Sequence, residues 1–302
     1  MRPVRSLLIT GASGFLGWSA CRILSADWSV YGTYHTQPIT LDTGSVYALN
    51  LNDDDAVQAC WDVVQPNAVL HTAAMSKVND CQQDPEGSYR LNVDATVKLA
   101  KRCAVAGIPF LFTSTDLVFD GTQAPYSEAD SPTPINTYGQ QKAAAEAQIL
   151  ATYPDATICR LPLMYGAATP INTCFLQNFL ALIAAHKPLT LFTDEVRTPA
   201  EVTDVIQGLR LVLNQGLTGI LHLGGKQRLN RYEFGLMMAE AFNFSKTLLT
   251  PCLQSSVTLS TPRPKDVSLN SQRAFVLGYA PRLAEIALKE ISAGKGLRDI
   301  RT

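Results

Sequence analysis

Thr10-Gly11-Ala12-Ser13-Gly14-Phe15-Leu16-Gly17 is the stretch on which the fold of this chain turns. It follows an apolar run, residues 4–10, that reads as a strand, and it opens a helical segment, residues 14–26. Glycines at 11, 14 and 17 permit a tight turn, close backbone approach to a pyrophosphate, and close packing of helix on strand. The helix start then offers unpaired N–H groups and a positive dipole end to phosphate oxygens. A glycine-rich turn between strand and helix, this early in the chain, predicts a dinucleotide-binding loop. Gly11, Ser13, Gly14, Phe15, Leu16 and Gly17 are its contact residues.

Outward from that loop, short apolar runs alternate with helix-length segments. Residues 29–34, 46–49, 68–71, 109–113, 156–160 and 219–223 read as further strands. Helices are expected over 53–64, where acidic residues suit the N-terminal dipole, and over 86–106 and 137–152. Strands alternating with helices imply right-handed crossovers, hence an α/β fold built on a doubly wound parallel Rossmann sheet. After Arg160 the alternation breaks, and Pro162, Pro170, Pro188, Pro199, Pro251, Pro262, Pro264 and Pro281 punctuate shorter pieces. Residues 1–161 and 194–225 are therefore assigned to a dinucleotide-binding domain. Residues 162–193 and 226–302 are assigned to a smaller C-terminal substrate-binding lobe.

Composition narrows the function classes. The chain has 302 residues, 46% hydrophobic and 17% charged, with a net charge of −1. That is enough to bury a large core, and no Lys/Arg run exceeds two residues, so a nucleic-acid or anionic-membrane footprint is missing. The seven cysteines are scattered without C-x-x-C spacing, which suits reduced thiols in a cytoplasmic protein. Leu7-Leu8-Ile9 is too short for a signal peptide, and no stretch reaches the roughly 18 apolar residues of a membrane span. No His/Cys/Asp cluster has metal-ligand spacing, so no metal is expected.

Tyr138 and Lys142 stand four apart on a predicted helix and so share a face. An ammonium beside a phenol lowers the phenol pKa, and such a tyrosine can exchange a proton with a carbonyl or alcohol oxygen. Tyr-x-x-x-Lys alone is a common surface pairing; its neighbours give it weight. Thr115 follows a strand and can hydrogen-bond the reacting oxygen, although a strand-end cap would look the same. After the second strand, Tyr34-His35-Thr36 offers no acid for a ribose 2′-hydroxyl, while His35 and Thr36 can donate to a 2′-phosphate. NADP(H) is favoured over NAD(H). Arg197 and Arg263 are candidate clamps for an anionic substrate group, and His186 and His222 read as structural.

The sequence resembles the extended short-chain dehydrogenase/reductases, within them the dTDP-4-dehydrorhamnose reductase branch. The resemblance runs through Thr10 to Gly17, His71-Thr72-Ala73-Ala74, Leu91-Asn92-Val93, and Ser114-Thr115-Asp116-Leu117-Val118-Phe119-Asp120-Gly121. It continues through Pro125-Tyr126-Ser127-Glu128, Tyr138 to Lys142, Arg160 to Gly166 and Leu221-His222-Leu223-Gly224-Gly225. It implies a reductase of a 4-keto sugar nucleotide. Thr115 would be the catalytic hydroxyl, Tyr138 the acid, Lys142 its lysine and Asn92 a supporting helix asparagine. Ala73, Ala74 and Leu161 would run along the cofactor. The resemblance also suggests a homodimer through the helices at 86–106 and 137–152.

This chain departs from the branch at four places. His71 replaces an Asn, Asn50 (before Leu51) replaces an Asp at the adenine, Leu117 replaces a Tyr, and Arg197-Thr198-Pro199 replaces Gly-x-Pro-Thr. The first three are expected to tune cofactor contacts, and the last puts the sugar in question. Two alternatives stay open. One is a non-catalytic NADP-binding regulatory subunit, like the regulatory β subunit of methionine adenosyltransferase, which belongs to the same branch. The other is a sugar-nucleotide epimerase or dehydratase, for which Asp116 beside Thr115 would be the acid.

Overall fold

Parallel strands sandwiched between helices need near-continuous apolar runs, because neither face meets water. Ala68–His71, Phe110–Thr115 and Thr157–Leu161 are buried at every position. In the computed structural model, which describes residues 5–294, they are three adjacent interior strands of a seven-stranded parallel sheet. The chain enters through β1 (Ser6–Thr10), α1 (Phe15–Leu24), β2 (Ser29–Tyr34), β3 (Ser45–Ala48), α2 (Asp54–Val64) and β4 (Ala68–His71). The short helices α3 (Val78–Gln83) and α4 (Pro85–Tyr89) lead into a π-helical turn (Arg90–Ala95), α5 (Thr96–Ala106) and β5 (Phe110–Thr115). A 3-10 turn (Asp116–Val118), α6 (Thr137–Thr152) and β6 (Thr157–Leu161) complete the first half.

The second half holds β7 (Met164–Tyr165), α7 (Phe175–Ala184), β8 (Leu189–Phe192), β9 (Val196–Arg197), β10 (Ala200–Glu201), α8 (Val202–Gln215) and β11 (Gly219–His222). It ends with β12 (Leu229–Asn230), α9 (Arg231–Ala241), β13 (Leu249–Cys252), α10 (Gln272–Val276) and α11 (Ala284–Ser292). The strand order is β3-β2-β1-β4-β5-β6-β11. Its direction of growth reverses at β1, so a crevice opens at the carboxyl ends of β1 and β4.

Alternation along each strand splits the core. Leu7, Ile9, Leu70 and Leu111 pack with α1 and α8, whereas Leu8, Val69, Phe110 and Phe112 pack with α2, α5 and α6. A separate cluster joins Leu176, Leu189, Leu191, Phe234, Met238, Leu249 and Leu288 from the second-half elements. No helix among the described residues is long and apolar enough to cross a membrane.

Several sequence expectations are refined. The helix over 86–106 starts one residue earlier and is broken by the π turn at Arg90–Ala95. β5 runs two residues beyond the expected 113, taking Ser114 and Thr115 into the strand. α3 and the two-residue strands after β6 were not anticipated, because segments so short carry no periodicity. Val4 and residues 295–302 lie outside the described residues.

The turn between β1 and α1 is among the tightest points in this layout. Gly11 has φ +73°, and a Cβ on Gly17 would lie 2.1 Å from the Gly11 carbonyl oxygen and 2.8 Å from Thr72 Oγ1. Backbone cannot move aside there without dragging β1. Gly17→Ala is expected to lower stability by about 3 kcal/mol, measured by urea unfolding; an unchanged midpoint would contradict this packing.

Candidate active site

Asn136 caps α6 by accepting the Gly139 N–H at 2.9 Å. A Cβ on Gly139 would lie 2.1 Å from the Leu117 carbonyl oxygen, so the helix start sits hard against the turn that follows β5. This contact brings Tyr138 to the end of the strand carrying Thr115, and Lys142 follows one turn along α6. Tyr138 and Lys142 are both buried, and Lys142 Nζ lies 3.9 Å from the centroid of the Phe112 ring. Burial lowers the Lys142 pKa to about 7, opposed by Glu146 and Cys81. Burial, followed by Cys81 and Asp116, pushes the Tyr138 phenol well above its ordinary value. The phenol is therefore not drawn toward neutrality as expected, because burial removes the water that would solvate a phenolate. The phenol stays protonated near pH 7.

Two cavities meet at Tyr138. The first, about 550 Å³, runs from the glycine loop to α6. Gly11, Ser13, Gly14, Phe15, Leu16, Gly17, Tyr34, His35, Asn50, Leu51, Ala73, Ala74, Tyr138, Lys142 and Leu161 line it. Thr36, exposed like His35, does not line it. Arg90, on the π turn, and Asn172 also line this crevice and were missed. Asn172 Nδ2 donates to the Ser13 carbonyl across 159 residues, a link that no local pattern signals.

The second cavity, about 560 Å³, is lined by Thr115, Tyr138, Arg197 and Arg263, with Leu161, Pro162 and Met164 on its wall. Thr115 Oγ1 accepts the Leu117 N–H and donates to Asp116 Oδ1, each at 3.2 Å, so it caps the turn and faces the cavity together. Arg197 is more committed than expected, its Nη1 donating to Asp116 Oδ1 at 2.8 Å. Arg231 was missed: it holds Glu195 at 2.7 and 2.9 Å, and Arg263, partly exposed, approaches the same carboxylate at 3.5 Å. Antiparallel pairing of β9 with β12 brings Arg231 there, a contact invisible in sequence spacing. Burial pushes Glu195 up, but Arg231, Arg197 and Arg263 outweigh it and hold the carboxyl below its usual range.

Asn92 lines neither cavity. Buried in the π turn, it accepts the Met75 N–H at 2.9 Å, donates to the Met75 carbonyl at 3.1 Å and to Gln141 Oε1 at 2.8 Å. It thus ties the segment after β4 to α6, and Gln141, also missed, completes the tie through Ser88 Oγ at 2.7 Å. His71 does not reach the crevice as expected; it lies beneath it, between Thr10 Oγ1 at 2.6 Å and Thr96 Oγ1 at 2.8 Å. Leu117 lines the second cavity and not the first. His222 is buried, and His186, with φ 52°, is exposed just after α7.

The family described as RmlD substrate binding domain matches residues 5–292. The chain belongs to that family. Methionine adenosyltransferase 2 subunit beta of Danio rerio is 31% identical over 288 residues, 92% of this chain and 86% of that protein. A probable low-salt glycan biosynthesis reductase of Haloferax volcanii is 31% identical over 261 residues, 85% of this chain and 87% of its own. The crystal structure of dTDP-4-dehydrorhamnose reductase from Bacillus anthracis in complex with NADP superposes with a TM-score of 0.86 at 21% identity. That superposition covers 96% of this chain and 99% of the other. The extended short-chain dehydrogenase/reductase fold expected from the motifs is the fold found.

Burial, helped by Lys142 for His71 and by Arg160 for His222, lowers both histidines to about 3. An unfolded histidine titrates near 6.5, so the unfolded chain binds the extra protons. Stability contributed by the neutral rings is complete above about pH 6.5 and is lost as pH falls toward 3. Between about pH 6 and 4 the two rings together withdraw up to about 2.7 kcal/mol per pH unit. Urea midpoints measured across that range are expected to fall steeply; a flat profile would show that the rings are not buried neutral.

Proposed function

We propose that the chain is an NADP(H)-dependent reductase acting on a keto group of a nucleotide-linked sugar. The observation that carries this reading is the position of Tyr138 at the junction of the two cavities. Lys142 lines only the glycine-loop crevice, and Thr115 lines only the arginine-bearing one. A dinucleotide suits the first cavity, because the α1 N-terminus and Gly14 face phosphates while Leu51 and Leu161 offer apolar walls. When bound, the reduced nicotinamide supplies the hydride. Thr115 orients the substrate oxygen, Tyr138 protonates it, and Lys142 holds the nicotinamide ribose hydroxyls. Asn92 supports the set through Met75 and Gln141. Preference for NADP(H) is supported by the lack of an acid at the end of β2, where Tyr34 and His35 line the crevice.

Residues 162–193 and 226–302 belong with the substrate, supported by Pro162–Met164, Arg231 and Arg263 on the second cavity. Glu195 and Arg197 join them from the 194–225 span. Arg263 and Arg231 suit a diphosphate, since guanidinium forks pair with its oxygens. Asp116 is held by Arg197 and Thr115, which favours reduction over dehydration through that carboxyl. A cytoplasmic setting, supported by seven free cysteines, and pairing of two copies through α5 and α6 complete the reading. A second reading, a cofactor-binding regulatory subunit, is favoured by the likeness to methionine adenosyltransferase 2 subunit beta. Stable association with a methionine adenosyltransferase, without oxidation of reduced cofactor by any keto sugar nucleotide, would decide for it.

Tyr138→Phe is expected to lower kcat about 10²–10⁴-fold while leaving NADPH affinity within about twofold; retained turnover would remove Tyr138 as the acid. Arg263→Ala is expected to raise KM for a nucleotide-linked keto sugar about tenfold and leave a free keto sugar unaffected. Equal changes for both substrates would place Arg263 away from the nucleotide.

A further inference from the structure

Glu146 stands one turn beyond Lys142 and two beyond Tyr138 on α6, and it is 3% exposed. Its carboxylate receives Arg160 Nε at 3.1 Å on both oxygens and Arg160 Nη2 at 2.7 Å, and it also accepts Ser114 Oγ. Ser114 immediately precedes Thr115 at the end of β5, and Arg160 immediately precedes Leu161 at the end of β6. Arg160 Nη1 reaches on to His222 Nε2 at 3.3 Å, so the network extends to β11. One buried carboxylate thus fastens α6 to the carboxyl ends of the two strands beside it. A buried ion pair contributes little net stability over an apolar pair; what this one supplies is registration and charge.

On the reductase reading of this site, we propose that Glu146 is a positioning residue for the Tyr138–Lys142 pair. It fixes the helix that bears them against the strand end that bears Thr115, and it keeps the Lys142 ammonium charged inside the crevice.

Lys142 forms no ion pair among the described residues, and its ammonium rests on the Phe112 ring. The titratable groups facing it are Tyr138 and Glu146 on α6, Cys81 on α3 and His71 on β4. Burial raises Cys81 and Tyr138 and lowers His71, so all three are neutral near pH 7. Glu146, paired with Arg160, is the carboxylate that opposes the burial penalty on Lys142. Neutralising it lets Lys142 lose its proton at lower pH. A lysine that holds ribose hydroxyls then weakens cofactor binding earlier on the pH scale.

The test is NADPH affinity as a function of pH, followed by nicotinamide fluorescence, for the wild type, E146D, E146Q and the double variant E146Q/R160M. The double variant replaces the buried pair by two neutral side chains and so avoids stranding the arginine, should E146Q alone fail to fold. The pH midpoint for loss of affinity is expected to fall by about one unit in E146Q, and by less in the double variant, which removes the Arg160 positive charge along with the carboxylate. E146D, which keeps the charge, should restore the wild-type midpoint even if its affinity is lower. Coincident midpoints in the wild type and the neutral variants, or a pH-independent wild-type affinity, would overturn the role of Glu146. Failure of the wild type to bind NADPH at any pH would instead overturn the reductase reading on which it rests.

Discussion

Between Gly17 and the Gly11 carbonyl there is room for a hydrogen atom and no more. That contact draws the first turn of α1 onto the ends of β1 and β4, where Gly11 also meets Ala73 and Thr72. The helix N-terminus is thereby aimed along the crevice where the strand order reverses, the place at which an open α/β sheet can receive a phosphate. Asn172 then closes over the loop from the second half by donating to the Ser13 carbonyl. The same geometry repeats at the other end of the crevice. There Gly139 lets α6 press against the Leu117 carbonyl, so that Tyr138 and Thr115 share one wall.

Around these two close approaches the chain buries charge that an ordinary core would avoid. Lys142, Glu146 and Arg160 are each at most 3% exposed, and Asp116 and Arg197 are 2% and 7% exposed. Each is paired or stacked, because an isolated buried charge would be prohibitively costly. The consequence is a phenol kept protonated beside an ammonium balanced near neutrality. Substrate and cofactor walls are therefore set by backbone contacts, and the protonation states by the buried charges behind them. The two sets share α6.

Much of this was legible in the sequence because it depends on local chemistry. The glycine loop, the buried strands and the Tyr138–Lys142 spacing each follow from residues within one or two turns of one another. The crevice residues of the glycine loop, with Tyr34, His35, Asn50, Leu51, Ala73, Ala74 and Leu161, were accessible in that way; Arg90 and Asn172 were not, and nothing in Tyr34-His35-Thr36 marks that Thr36 lies outside the crevice lining. What was not legible depends on pairings across the fold. Arg231 meets Glu195 through a two-residue antiparallel pairing, and Glu146 meets Ser114 and Arg160 from three separate elements. His71 looked like a cofactor contact because it replaces a family asparagine. Its side chain is instead spent on Thr10 and Thr96 beneath the crevice. The opposed effects of burial on Tyr138 and Lys142 were equally out of reach, since spacing reports proximity and not solvent exclusion.

On the proposed reading, hydride crosses from the glycine-loop crevice to a carbonyl in the arginine-bearing cavity at Tyr138. Its most direct test uses NADPH deuterated at the transferable position of nicotinamide C4, incubated with the protein and a keto sugar nucleotide, with the product read by mass spectrometry and NMR. One deuterium is expected on the new carbinol carbon, delivered to a single face, with one cofactor oxidised per product. Product formed without label and without net cofactor oxidation would contradict it.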